Sequence, residues 1–244
     1  ELRELSALNI YDFELNASVA GNPSLKRTKI TNTDLRYELY PGAGELFTVG
    51  VFYKNFENPI ESIFNEGSGG ASLFSFQNVS KATAFGFEVE GRKKLTTRFT
   101  LQANGSYINS KTKDAALNVD RPLQGQSPYL INTGLLYDVV EKGFNMTVLF
   151  NQVGKRIYLV GDLQAGAATP DVFENPRALV DFQISKKFAE NKAEIRFTIS
   201  DILNQRQIFY QNNNSNSDYS AGSDAIRFSR KFGTTFGVTL NYSL

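Results

Sequence analysis

The C-terminal stretch constrains the fold more than any other part of the chain. From Ile226 to Leu244 the even positions are Ile226, Phe228, Arg230, Phe232, Thr234, Phe236, Val238, Leu240, Tyr242 and Leu244, eight of the ten apolar. The odd positions between them hold no large apolar side chain. Alternate side chains of a strand point to opposite faces, so this pattern predicts one long strand with a greasy and a wet face. Strands of soluble domains usually run to only about 5–6 residues.

The same period returns upstream. Segments 47–53, 85–89, 99–107, 144–150, 180–184 and 195–199 alternate in this way, with Leu149 out of step, and 35–39 and 131–137 do so more weakly. Together these make nine candidate strands, antiparallel by hairpin logic. Short turns are expected at 41–45, 93–97, 138–143 and 189–192. Long polar segments fall at 57–80, 109–128, 155–176 and 204–224, read as loops. Short and long connections alternate without exception. A soluble sandwich has no reason to trim one end and elaborate the other, whereas an outer-membrane barrel has short periplasmic turns and long extracellular loops.

Composition narrows the function. The 244 residues carry 26 Lys plus Arg against 25 Asp plus Glu, which leaves no electrostatic case for nucleic acid. There is no Cys and no His, so zinc fingers, iron–sulfur clusters, thiol nucleophiles and Ser-His-Asp triads are excluded. No run approaches the ~18–20 apolar residues of a membrane helix. The opening Glu1–Leu5 lacks the basic and apolar regions of a signal peptide, so none is expected there. The 20 Phe and 11 Tyr need an apolar setting. On the apolar face, Phe47, Phe99, Tyr137, Phe144, Phe188 and Tyr242 fall near the short-turn end, and Tyr53 and Tyr107 near the other. Rings at two levels are the girdles of a bilayer-spanning barrel. The opposite face collects Arg36, Glu38, Lys54, Glu88, Glu90, Arg92, Gln102, Asn104, Glu194 and Arg196.

Register follows from the turns. A four-residue turn at 189–192 sets Phe188 opposite Ala193, Ile184 opposite Phe197 and Phe182 opposite Ile199, with Asp181 meeting Ser200 inside. A one-residue slip would turn Arg196 toward lipid. Parity adds a constraint: single-chain barrels have even strand numbers, and an open sheet in lipid leaves edge amides unpaired. Nine strands therefore imply part of a larger barrel. Residues 1–28 are expected to form an extracellular loop or strand edge, with Tyr11, Phe13, Leu15, Ala17 and Val19 able to make one more edge, and residues 29–244 the barrel strands.

Several motifs resemble the C-terminal part of the β-barrel of a TonB-dependent outer-membrane receptor of the type abundant in Bacteroidota. Arg3-Glu4-Leu5 with Tyr11-Asp12-Phe13 resembles the stretch before that family's Asn-Pro element, and Gly21-Asn22-Pro23-Ser24-Leu25-Lys26 the element itself. Asn32 with Asp34-Leu35-Arg36-Tyr37-Glu38, Phe52-Tyr53-Lys54 and Asn58-Pro59-Ile60-Glu61 are similar to the strands that follow. Gly86-Phe87-Glu88-Val89-Glu90-Gly91, Gln124-Gly125-Gln126-Ser127-Pro128 and Asp201-Ile202-Leu203-Asn204 complete the series. The family ends in Phe or Trp, whereas this chain ends in Leu244 with Tyr242 two residues earlier.

The resemblance implies an all-β, antiparallel transmembrane β-barrel of 22 strands, of which these are the last nine. It implies an N-terminal plug and a TonB-contacting segment, a location in the bacterial outer membrane, and active import of an extracellular nutrient using TonB-relayed energy. No enzyme, cofactor or metal site is expected; Asp162 and Asp171 lack the spacing of a calcium loop. Implied partners are TonB, the protein's own plug, the lipid bilayer, a siderophore, glycan or peptide ligand, and a surface lipoprotein of SusD type. Loop residues of the right chemistry to touch ligand are Arg121, Gln124, Lys155, Arg156, Tyr158, Phe209, Tyr210 and Asn212, although polar loops are by default solvated. The inward Arg36, Glu88 and Glu90 are expected to pair with plug or neighbouring strands. A passive porin or structural barrel and a soluble all-β binding module stay open as alternatives; an outer-membrane enzyme is weaker, since no acid–base set clusters.

Overall fold

The computed structural model describes residues 2–13, 17–66, 72–114, 119–161, 169–212 and 218–242. A helical turn, α1 (Leu2–Leu5), is followed by β1 (Asn9–Asp12), β2 (Ala17–Ala20), β3 (Lys29–Leu39) and β4 (Leu46–Glu57). A first hairpin tip, β5 (Ile60–Glu66) and β6 (Ser72–Asn78), returns into β7 (Lys81–Lys94) and β8 (Phe99–Asp114). The short β9 (Val119–Arg121) precedes β10 (Tyr129–Val139) and β11 (Phe144–Val153). A second tip, β12 (Arg156–Gly161) and β13 (Val172–Glu174), returns through β14 (Arg177–Phe188) to β15 (Ala193–Ser200). The third, β16 (Gln207–Gln211) and β17 (Ala225–Arg230), leads into β18 (Thr235–Tyr242).

The strands form two sheets. The larger is a wall in the order β18-β15-β14-β11-β10-β8-β7-β4-β3, with β9 attached to β8. Its nine-strand path matches the nine strands expected from alternation, and the short turns fall where expected. Every pairing along it is antiparallel. Eight reversals leave β3 and β18 running the same way, so these two edges cannot close antiparallel on each other. Among the described residues no strand pairs with the free edge of either.

The register of β14 on β15 is the expected one: Phe188 faces Ala193, Ile184 faces Phe197 and Phe182 faces Ile199. The ladder ends there, and Asp181 accepts a hydrogen bond from the Asp201 N–H at 2.8 Å rather than meeting Ser200. That register carries through to β18, where Phe236, Val238, Leu240 and Tyr242 pair with Ile199, Phe197, Ile195 and Ala193. All four stand exposed, Val238 at 70%. Leu35, Tyr37, Phe85 and Phe87 are likewise exposed on the same outer face. Near the short turns Phe99, Tyr137 and Phe144 stack in sequence, with ring centroids 4.7 and 6.1 Å apart. Toward the other end Phe87 and Tyr107 pair at 5.8 Å. An exposed apolar face of this extent belongs against hydrocarbon rather than water.

Two expectations need correction. Ile226–Leu244 is not one strand. Its first part, β17, pairs with β16 in the second sheet, residues 231–234 leave the ladder, and β18 joins the wall. Gly233, with φ of 86°, allows the backbone to turn there. Alternation runs on across the break because both halves are strands with one covered face; Leu244 lies outside the described residues. The long polar segments are not irregular loops either. They hold β5, β6, β9, β12, β13 and β16, and all but β9 join an eight-stranded sheet ordered β1-β2-β6-β5-β12-β13-β16-β17. At one end of that same sheet β1 and β2 form a hairpin, and Ala17 and Val19 are buried in its core. Tyr11 and Phe13 make a ring contact beside it, at 5.1 Å, and Leu15 lies outside the described residues.

This second sheet is a loop layer with its own hydrophobic core of Phe64, Phe74, Phe76, Leu159, Val172 and Phe209. The Asn-Pro element is tied to it, since Asn22 Nδ2 donates to the Phe76 carbonyl and the Lys26 backbone exchanges two hydrogen bonds with the Asn78 side chain. The direction of each wall strand dictates how the layer pairs. β5 and β12 both continue strands rising from the turn end, and β2 and β6 both lead into descending ones, so these two pairings are parallel.

Arginine placed on the outer face is expected to be costly. Phe182→Arg should lower the unfolding free energy of the lipid-reconstituted full-length protein by about 2–4 kcal/mol, and Gln183→Arg on the other face by far less. Urea titration followed by circular dichroism or gel mobility checks this. Equal costs would mean that the outer face does not contact lipid.

Candidate functional site

Two surfaces have chemistry to offer: the inner face of the wall and the loop layer above it. Because side chains alternate, the register that turns Phe236 and Val238 outward turns the charged positions inward. Arg36 lies 2.7 Å from Glu38 on its own strand and 3.5 Å from Glu90 two strands away, so the expected pairing with neighbouring strands is present. Further along, Asn132 donates from Nδ2 to Asn104 Oδ1 at 2.7 Å, and Asn151 donates to Asn132 Oδ1 at 2.6 Å. Three strands are thus bridged by an amide ladder. These groups line a hollow of about 510 Å³ with Glu90, Gln102 and Asp181. Leu149, the one break in alternation on β11, points into this polar face because Gly134 opposite it leaves room: a Cβ there would lie 3.1 Å from the Leu149 methyl.

The loop layer holds the residues picked from sequence, and most are occupied by protein contacts. Arg121 forms a two-pronged pair with Glu61, 3.0 and 2.6 Å, and Glu61 is only 1% exposed. Gln124 acts as a surrogate strand. Its Oε1 accepts from the Ser62 N–H, and its Nε2 donates to the Ser62 and Tyr158 carbonyls, linking β5 and β12. The Tyr158 ring packs on Phe209 at 4.5 Å and Phe228 at 5.7 Å. Phe209 and Tyr210 are fully buried. Burial, reinforced by Asp224 and Asp218, pushes the Tyr210 hydroxyl up to about 12. Asn212 follows β16 at the edge of the described residues. Two of the eight come together at an open hollow: Lys155 stands over the Phe173 ring at 5.3 Å, and Arg156 Nε lies 2.7 Å from Glu174. With Tyr107, Asn109 and Gln126 they line a space of about 260 Å³.

Sequence reading missed Glu61 and the amide ladder, and it weighed Asp171 only as a calcium ligand. Asp171 accepts a 2.8 Å hydrogen bond from the Gly161 N–H. Burial raises its carboxyl above the ordinary range, with Glu61 adding to the rise and the Gly161 amide and Arg121 opposing it. The alternation that marks Glu88 and Glu90 as inward was enough to find the ladder, since Asn104, Asn132 and Asn151 sit at inward positions. Nothing local marks Glu61, whose partner lies 60 residues away. Asp162 lies outside the described residues.

Comparison with known proteins follows the same lines. The family model described as the outer membrane protein beta-barrel family matches residues 4–242. No curated protein matches the chain in sequence. Among solved structures, a mutant of the ferric enterobactin receptor PfeA of Pseudomonas aeruginosa, in complex with enterobactin, is 18% identical, with a TM-score of 0.61 over 93% of this chain and 33% of that one. The copper transporter OprC is 17% identical, with a TM-score of 0.62 over 91% and 32%. The ferric yersiniabactin uptake receptor FyuA of Yersinia pestis is 16% identical, with a TM-score of 0.59 over 88% and 30%. The chain therefore spans about a third of the structures it matches, and at these identities the likeness concerns the fold.

Two outcomes are expected of the loop layer. Arg121→Ala leaves the Glu61 charge buried and unpaired, a loss of about 3–5 kcal/mol, which hydrogen exchange of the β5 and β12 amides would register as local opening. Asp171 binds its proton more tightly folded than unfolded, so its contribution falls as pH rises through the window just above the ordinary carboxylate pKa. Asp171→Asn keeps an oxygen for the Gly161 N–H and removes the titration. It should flatten the pH dependence of layer stability between about pH 4 and neutrality, and make the layer more stable than wild type at neutral pH; thermal melts at the two ends of that range decide.

Proposed function

This chain belongs to the outer membrane protein beta-barrel family, and on that premise we propose that it forms the C-terminal wall of an active-transport receptor of the TonB-dependent kind. Nine antiparallel strands with two open edges running the same way need upward-running strands on both sides. A barrel of 22 strands supplies them and leaves a lumen that a plug fills. In this reading residues 29–244 are chiefly wall, and residues 1–28 belong to the extracellular layer. The short turns face the periplasm, and the loop layer faces outside.

The observation that carries the reading is the contrast between the two faces of one continuous wall. The outside is exposed and apolar from β3 to β18, while the inside is a hydrogen-bonded polar lining of Arg36, Glu38, Glu90, Asn104, Asn132 and Asn151. A lining of this kind suits a water-filled or plug-filled interior, and a packed core would not tolerate it. The folded loop layer supports a receptor over an open pore, and the inward Ala82, Ala84 and Thr112 at the loop end of the wall are buried. Ligand meets the protein between this layer and the plug. The Lys155–Arg156 hollow, at the loop end of the wall, presents cationic and aromatic groups to a small anionic or chelated nutrient. No bond is made or broken; energy relayed by TonB moves the plug. A lipoprotein of SusD type would sit over the loop layer if the ligand is a glycan.

Cells expressing the full-length protein should accumulate ferric enterobactin, ferric yersiniabactin or copper, for which the structurally similar proteins are named, and lose that accumulation when TonB is deleted. Uptake that persists unchanged without TonB would replace active transport by a passive pore. A protein that stays monodisperse without detergent would exclude both.

A further inference from the structure

The outer face of the wall changes character abruptly toward the loop layer. The ladders align residues of β3, β4, β7 and β8 into rows. One row is Thr33, Tyr53, Phe85 and Asn109, and its rings end the apolar belt. The next is Thr31, Asn55, Thr83 and Lys111, polar throughout. The last is Lys29, Glu57, Lys81 and Lys113. The inward neighbours of that last row, Ala82 and Thr112, are buried, which fixes the lysines on the outside.

Charge in these upper rows does not balance. Lys29 lies 3.9 Å from Glu57, and Lys111 lies 3.0 Å from Asp120 of β9. Lys81 and Lys113 remain, and among the described residues neither has an acidic partner within ion-pair distance. They are direct cross-strand partners, and on their other sides stand Glu57 and Asp120, the acids that Lys29 and Lys111 hold, so four lysines face two carboxylates. Side chains so placed have Cβ atoms about 4.5–5.5 Å apart, and like charges there oppose pairing. An anion held between the two ammonium groups would turn that repulsion into attraction.

Depth decides which anion. Four residues separate Lys81 from Phe85, roughly 13 Å of strand, or about 10 Å along the bilayer normal at barrel tilt. The polar headgroup layer occupies the first ~5–8 Å outside the hydrocarbon, and a lysine side chain reaches back into it. We infer that Lys81 and Lys113 together hold the phosphate of a phosphorylated lipid headgroup in the outer leaflet, on the lipid-facing side of the barrel. A phosphate monoester brings net negative charge and several acceptor oxygens to two point-like donors. A zwitterionic headgroup brings no net charge. The inference rests on the bilayer-spanning reading of the wall.

The test uses the full-length protein in phosphatidylcholine nanodiscs with and without phosphatidic acid, followed by native mass spectrometry of the lipid retained on extraction. Wild type should retain phosphatidic acid in preference to phosphatidylcholine, and inorganic phosphate should not displace it. The Lys81→Gln/Lys113→Gln double variant should weaken retention roughly 30-fold, from about fivefold per lysine near a bilayer surface. Lys192→Gln, in a short turn at the opposite end, should leave retention unchanged. Both sites are exposed strand positions, so an unaltered circular dichroism spectrum is expected of the double variant. Equal retention by wild type and double variant, or displacement by free phosphate, would overturn the lipid site while leaving the barrel intact. Failure of wild type to enter phosphatidylcholine nanodiscs would overturn the bilayer reading and the lipid site with it.

Discussion

An unpaired backbone amide has no water to turn to inside a bilayer, and the wall of this protein is the consequence. Its strands satisfy one another laterally, pair after pair, from β3 to β18. Direct pairing makes register the governing quantity. Once Phe182 faces Ile199, the outward position of Val238 and the inward position of Arg196 are settled together. The apolar exterior and the polar lining are thus one property of the ladder, and neither can shift without the other.

The wall was legible from sequence because its signal is long and redundant. Strands of 8–16 residues repeat one period, and four tight turns pin the register between them. The register at 189–192 could be written down residue by residue for the same reason. Where the signal failed, two elements shared a period. β17 and β18 both alternate, and only the left-handed Gly233 between them marks the passage from one sheet to another. A glycine in an alternating run admits a bulge, a kink or neither.

The loop layer was illegible for a different reason. Its strands are short, and its partners are chosen by what the wall brings together rather than by neighbours in sequence. Phe74 and Phe76 alternate over too few residues to outweigh the Ser, Asn and Pro around them. Arg121 and Gln124 looked like solvated loop residues, yet each completes a buried polar contact whose other half, Glu61 or Ser62, is about 60 positions away. A polar side chain in a loop reads the same whether it meets water, ligand or a distant carboxylate.

The parallel joints of that layer have a consequence for assembly. Val160 and Gly161 sit beside Ile63 and Phe64, so the first and second hairpin tips cannot be sewn together until nearly a hundred intervening residues have been laid into the wall. Contacts of such sequence separation form late, after the entropy of closing the long loop has been met by other means. The hairpins must therefore arrive at the membrane with bare aromatic tips, Phe64 and Phe74 among them, and acquire their cover only when the sheet below has set. For a protein that crosses an aqueous compartment before it folds, this is the interval in which a chaperone has something to hold.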